Sequence, residues 1–255
     1  SPYGRYDRHN RTRNGLPRHA EWNYGPQVWM MNHLQIEHSG NNAFYDQMNI
    51  SLAYQNFEES RIDRAFQGDV RSTQTEQVAA SSINLNFVRF LSKKNTLSYG
   101  AEYVLNEVSS TGEELNITTG EQQVAAARYP QANWNTFGAF VNSQHRFNEK
   151  YLMQGGLRFT QYGIDATFNP EFYDLPFTSA NSSNSAFTAN LGMVFRPSSS
   201  WVMSMNLSSA FRAPNVDDIG KVFDSEPGAV TVPNPDLEAE TAYTADFSLG
   251  KVFNE

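Results

Sequence analysis

The chain has 255 residues, a formal net charge of −8, 39% hydrophobic residues and no cysteine. Its mean hydropathy is −0.57, and no stretch approaches the ~20 apolar residues of a membrane helix. That excludes a helical membrane protein but not a membrane β-barrel, whose strands are only half apolar. The acidic balance argues against a general affinity for nucleic acid, and the missing cysteines exclude a disulfide framework, a thiolate metal site and a cysteine nucleophile.

Ser1-Pro2-Tyr3-Gly4 shows neither a charged nor an apolar signal region, so a targeting segment has been removed or the chain is a piece. Residues 1–26 read as an extracellular loop. Arg5, Arg8, Arg11, Arg13 and Arg18, with His9, His19, Tyr3 and Tyr6, make its first part basic and aromatic. Such a stretch reads either as a solvated loop or as an attractor of anionic cargo or lipopolysaccharide phosphates.

From residue 27 the pattern turns to period two. Val28, Met30, Leu34 and Ile36 share a face opposite His33, Gln35 and Glu37. Met48, Ile50, Leu52 and Tyr54 alternate with Gln47, Asn49, Ser51 and Ala53. The same alternation carries Ile83–Phe87, Leu97–Leu105, Phe137–Val141, Tyr151–Phe159, Phe187–Phe195, Trp201–Leu207 and Tyr243–Leu249. These are nine strands with one apolar and one polar face, each near the ~9–11 residues that cross a bilayer obliquely. The charges Glu37, Glu102, Arg158, Arg196 and Asp246 fall on the polar face.

A soluble sandwich predicts the same alternation, so connection lengths decide. Short turns at Ser39–Asn42, Ser92–Asn95, Asn148–Lys150 and Pro197–Ser200 alternate with long polar loops near 58–77, 109–132, 163–185 and 213–239. That rhythm is an up-and-down barrel, with turns on one side and loops on the other. Phe147 with Tyr151, and Phe195 with Trp201, flank short turns as an interfacial girdle would. The expected fold is all-β, an antiparallel up-and-down transmembrane β-barrel. Nine is an odd count, and the pattern stops at Lys251–Glu255, which reads as an arc of a larger barrel.

Phe211-Arg212-Ala213-Pro214-Asn215 leaves one strand, and Asn234-Pro235-Asp236-Leu237-Glu238-Ala239-Glu240 enters the next. With Gly156-Leu157-Arg158-Phe159, these boxes make the chain resemble the TonB-dependent outer-membrane receptors, 22-stranded barrels plugged by an N-terminal domain. Asp236 stands where the family commonly has a second Asn. The resemblance implies a receptor in the bacterial outer membrane that imports a scarce nutrient (an iron–siderophore, haem or similar). Energy would come from TonB acting through a plug, and lipid and lipopolysaccharide would surround the barrel. No cofactor is expected. The alternative is a soluble or surface β-rich adhesin or carbohydrate-binding domain.

Two readings of the boxes stay open. Pro214 and Pro235 fix the direction of the chain, and Asn215 and Asn234 can close local turns, so Phe211, Pro214, Asn234, Pro235 and Leu237 read as loop-shaping. Arg212, on the inward register, and Asn215, Asp217 and Asp218 read as ligand contacts, as do Arg128 and Tyr129 in Ala127-Arg128-Tyr129-Pro130, and Phe172-Tyr173. Haem-transporting relatives place a His between the boxes. Here that segment carries Asp217, Asp218, Asp224 and Glu226, which leaves His33 as a lumen-facing candidate. No hydrolase, zinc-protease, phosphate-loop or EF-hand spacing occurs, so no enzyme is expected.

Overall fold

The computed structural model describes residues 16–172, 175–220, 223–226, 229–231, 234 and 237–253. Its strands are β1 (His19–Tyr24), β2 (Val28–Ser39), β3 (Gln47–Ala65), β4 (Val70–Ser92), β5 (Asn95–Asn116), β6 (Gln122–Ala125), β7 (Gln131–Arg146), β8 (Tyr151–Thr167), β9 (Ser179–Ser198), β10 (Trp201–Arg212), β11 (Phe223–Glu226), β12 (Ala229–Thr231) and β13 (Glu240–Lys251). A short helix α1 (Val216–Gly220) follows β10.

All but β11 and β12 join one antiparallel, 11-stranded sheet. Two pairs of elements share an edge. β1 and β2 both pair with β3, and β6 and β7 both pair with β5. Each pair is one long strand interrupted, at Gly25-Pro26-Gln27 and at residues 126–130, so the sheet contains the nine expected strands. The interruption at 25–27 costs little, because Gly25 N still reaches Ser60 O at 2.8 Å and Pro26 has no N–H to satisfy.

The apolar residues line up across strands. Ile36, Ile50, Leu85, Ala101, Ala139, Phe159 and Phe187 form one registered row, and Leu34, Leu52, Ile83, Tyr103 and Phe137 the next. Met153, Met193, Met205 and Phe247 continue the pattern across β8, β9, β10 and β13. These rows are exposed or half-buried: Phe187 is 78% and Phe247 72% accessible. A water-facing sandwich buries such a face, whereas a lipid-facing wall presents it.

On β5 the apolar series runs from Leu97 to Leu105 and then meets Glu107. Eight residue steps at ~3.3 Å, tilted by ~40°, span roughly 20 Å, close to the height of a membrane-barrel apolar band. Aromatics rim the turn side. Tyr151 stacks on Phe195 at 4.4 Å, and Lys251 Nζ lies 5.0 Å over Trp201 and 4.8 Å over Phe253.

Side-chain oxygens close the short turns. Asn42 Oδ1 accepts from Phe44 N and Tyr45 N, Ser92 Oγ from Lys94 N and Asn95 N, and Asn148 Oδ1 from Lys150 N and Tyr151 N, all at 2.8–3.2 Å.

The loop expectations need correction. Residues 58–77 are strand on both sides of a turn at 66–69, paired as far as Arg64 with Arg71. Strand also fills 109–116 and 122–125, 163–167 and 179–185, leaving links at 117–121, 126–130 and 168–178. The long connection at 213–239 carries α1 and the β11–β12 hairpin. Within 1–26, β1 is a strand and residues 1–15 lie outside the described residues. The reason is common to all these segments. Beyond the apolar band water meets both faces, so alternation vanishes while backbone pairing continues: Glu58 faces Gln77 on one side and Glu59 faces Glu76 on the other. Ion pairs take over there. Arg71 grips Glu21 through Nε at 2.6 Å and Nη2 at 2.7 Å, and this bond holds the Glu21 carboxyl below the usual carboxylate range.

Leu52→Arg or Leu191→Arg is expected to cost about 2–4 kcal/mol where the site lies at the bilayer midplane, and Asn49→Arg or Asn190→Arg much less. Denaturant titration of receptor folded into lipid vesicles measures both. Equal sensitivity on the two faces would overturn the assignment.

Candidate functional site

The polar face begins with His33, Gln35 and Glu37 on β2. His33 Nε2 lies 2.7 Å from Ser51 Oγ, Gln35 Nε2 donates to Glu37 Oε1 at 2.6 Å, and Asn49 Nδ2 reaches the same oxygen at 3.3 Å. His33 therefore stands on the polar wall, exposed and bonded to a hydroxyl. Among the described residues no group of three or more His, Asp or Glu is arranged to hold a metal.

Further round the wall, Arg158 on β8 reaches across β7 and pairs with Glu102 on β5, while its Nε donates to Thr160 Oγ1 at 3.0 Å. The strand between carries Gly138 at the crossing point. A Cβ there would overlap the guanidinium and come within 3.2 Å of Glu102 Cγ. The ion pair thus depends on a missing side chain, a constraint invisible in the Gly156–Phe159 phrase that drew attention to Arg158.

Above the apolar band the wall changes character. Ala132, Tyr162, Ile164, Ala166, Phe168 and Ala180 form a buried cluster with Val216 and Ile219 of α1, and Tyr129, Trp134, Ala213 and Leu237 pack against it. Ile164 and Ile219 are almost wholly buried. On β8 these residues share the register of Arg158 and Thr160, so an apolar patch continues the polar face and α1 covers it.

The Phe-Arg-Ala-Pro-Asn box builds that cover. Phe211 and Arg212 end β10, registered with Thr241 and Glu240. Pro214 is buried and turns the chain inward. Asn215 then caps α1: its Oδ1 accepts from Asp218 N at 3.0 Å, and Asp218 Oδ2 accepts from Asn215 N at 3.0 Å. This is a reciprocal capping box with Asp in the third helical position. The same Asp218 oxygen takes Arg212 Nη2 at 2.7 Å, and Arg212 Nη1 reaches Glu240 at 3.3 Å. Arg212, Asn215 and Asp218 are brought together, and they hold one another.

Asp217 points the other way and accepts from Tyr129 Oη at 2.9 Å, joining the 126–130 segment to α1 across 88 positions of sequence. Burial, and then this bond, push the Tyr129 hydroxyl up to about 12. Arg128 lies over the Tyr129 ring at 5.0 Å. Burial likewise pushes Tyr162 up to about 12, with Asp218 nearby adding to it. Leu237 packs on the cluster, Asn234 is exposed, and Pro235, Asp236 and Tyr173 lie outside the described residues. Asp224 and Glu226 fall on β11. Sequence reasoning missed Glu76, buried on the polar face of β4 under the 126–130 segment, because its surroundings read as loop.

A sheet with one lipid-facing and one polar face, tight turns below and folded loops above defines the wall of a transmembrane β-barrel. The family described as TonB dependent receptor-like, beta-barrel matches residues 1–254, and the chain belongs to it. Among solved structures, the copper transporter OprC superposes with a TM-score of 0.72 at 14% identity, over 89% of this chain and 37% of that one. The closed form of the ferric-catecholate import receptor Fiu of E. coli gives 0.60 at 11%, over 88% and 38%. The Serratia marcescens hemophore receptor HasR, in complex with its hemophore HasA and heme, gives 0.60 at 11%, over 88% and 36%. These likenesses are of fold, and the chain spans well under half of each of these structures. A search of curated proteins finds no match.

Asn215→Ala is expected to weaken α1 by about 1 kcal/mol, the usual loss for an N-cap. It and Asp218→Ala should speed limited proteolysis of the 213–239 connection while the barrel stays folded. Gly138→Val should separate Arg158 from Glu102, so that adding Glu102→Gln to it costs little further stability, whereas Glu102→Gln alone is costly.

Proposed function

We propose that this chain forms part of the wall of a bacterial outer-membrane import receptor that captures a small metal-chelate cargo, an iron–siderophore or haem. TonB, acting through a plug inside the barrel, supplies the energy. Lipid and lipopolysaccharide contact the apolar rows and the rim above them, and the protein does no covalent chemistry on its cargo.

The observation that carries this reading is the division of one continuous sheet into an exposed apolar face and a polar face closed at the loop end by folded segments. A wall of that kind separates lipid from an aqueous passage. The neighbours' descriptions, a copper transporter, a ferric-catecholate import receptor and a hemophore receptor, support a metal-bearing cargo. At the loop mouth Arg128, Tyr129, Arg212, Asn215, Asp217 and Asp218 are the groups nearest the entrance, and His33 lies on the wall below. Five of the six already bond within the loops. That leaves Arg128, whose buried Nη1 has no hydrogen-bond partner among the described residues, and the exposed His33 on the wall below as the first candidates for cargo contact.

Uptake of radiolabelled iron, presented as ferric chelates or as haem to iron-starved cells, tests the reading. Receptor-dependent uptake that disappears when TonB is deleted is the expected result. Uptake that persists without TonB, or receptor-independent uptake of every chelate and of haem, would overturn it.

A further inference from the structure

Glu76 is a carboxylate that the wall encloses and does not satisfy. It is 5% exposed, and neither of its oxygens accepts a hydrogen bond among the described residues. Directly opposite it stand Glu59 on β3 and Ser110 on β5. Arg61 is engaged with Glu59 at 3.3 Å, and Arg128 lies over Tyr129. Both guanidiniums act on Glu76 from a distance.

Residues 126–130 shut water out. Their backbone lies on Gly112, where a Cβ would run into the Ala126 carbonyl. Gln74, the next inward residue of β4, donates to Ala126 O at 3.4 Å, and Tyr129 N donates to Ser110 Oγ at 3.3 Å. The segment therefore crosses the wall at the level of Glu76 and is pinned beyond it to Asp217 of α1.

A buried carboxylate without a partner is tolerated when neutral and costly when ionised. We propose that residues 126–130 are a proton-operated strap, lying flat on the wall over neutral Glu76 and lifting when Glu76 ionises. Lifting hydrates the carboxylate, frees Arg128 to reach it, and breaks the Tyr129–Asp217 tie to the neighbouring loop.

The direction with pH follows from which state holds the proton more tightly. Burial raises the Glu76 carboxyl in the closed state, and the beside-lying Glu59 adds to this against the opposing arginines. The closed strap is therefore fully favoured at and below the ordinary carboxylate range. It loses ground as pH climbs above that range, until the closed-state value is passed. The other groups facing Glu76 are Glu59 and Arg61 from β3 and Arg128 and Tyr129 from the strap, with Asp217 behind them on α1. Tyr129 at about 12 stays neutral, Glu59 pairs with Arg61, and Asp217 accepts from Tyr129.

Ser110 is 2% exposed beneath the strap, and the chain has no native cysteine. A Ser110→Cys variant of the intact receptor in detergent, its labelling corrected for that of the parent without this cysteine, reports opening by its rate of maleimide labelling. Dividing by the rate for the same variant carrying Glu76→Gln removes the thiol's own pH dependence. The quotient should rise several-fold from about pH 5 to about pH 8, by no more than about tenfold per pH unit, since one proton is involved. Adding Gly112→Val, which props the strap off the wall, should give fast labelling at every pH. A quotient that stays flat overturns the proposal, and so does a Gly112→Val variant that labels no faster than its parent at about pH 5, where the strap is closed.

Discussion

A chain that crosses hydrocarbon must pair every backbone N–H and C=O within itself, because lipid offers no partner. The rest of this structure follows from that requirement. Antiparallel neighbours meet it with straight ladders, and the ladders fix register. Register then places Ile36 beside Ile50 and Leu85 on one side, and Glu37 beside Asn49 and Asn86 on the other. The polar wall is thus a by-product of the apolar one: every residue turned toward lipid commits its neighbour to the passage.

Where water reaches both faces the rule relaxes, and specific chemistry takes over. The upper ends of the strands carry ion pairs, a buried apolar cluster and two loop segments that dock on the wall and on each other. The Phe-Arg-Ala-Pro-Asn box serves that docking. Its proline aims the chain at the cluster, its asparagine starts a helix one turn long, and its arginine is tied down by the aspartate that completes the cap. Ile219 and Val216 supply the burial that keeps so short a helix in place, since isolated helices of this length do not persist in water.

The membrane-spanning part of the fold was legible because lipid imposes a two-residue period, and nine strands could be counted from it. The strand ends were illegible for the complementary reason. At Glu58 and Glu59, or Ser109 and Ser110, both faces are polar, and no periodicity marks a strand that persists only through its ladder. The boxes were legible as turn chemistry, since proline and asparagine act locally. Their partners were not: the Arg212–Asp218 pair could be guessed from proximity in sequence, but Tyr129 with Asp217, Arg158 with Glu102 across Gly138, and the enclosure of Glu76 all depend on which strands become neighbours.

The short turns carry a consequence for how such a wall is made. Asn42, Ser92 and Asn148 each satisfy their turn's amides with a side chain of the turn itself, so no distant segment is needed to close a hairpin. Each pair of strands can find its own register from residues adjacent in sequence, the cheapest kind of contact to form. The wall can therefore grow by whole hairpins, each entering the bilayer with its alignment already decided and only its outer edge awaiting a neighbour.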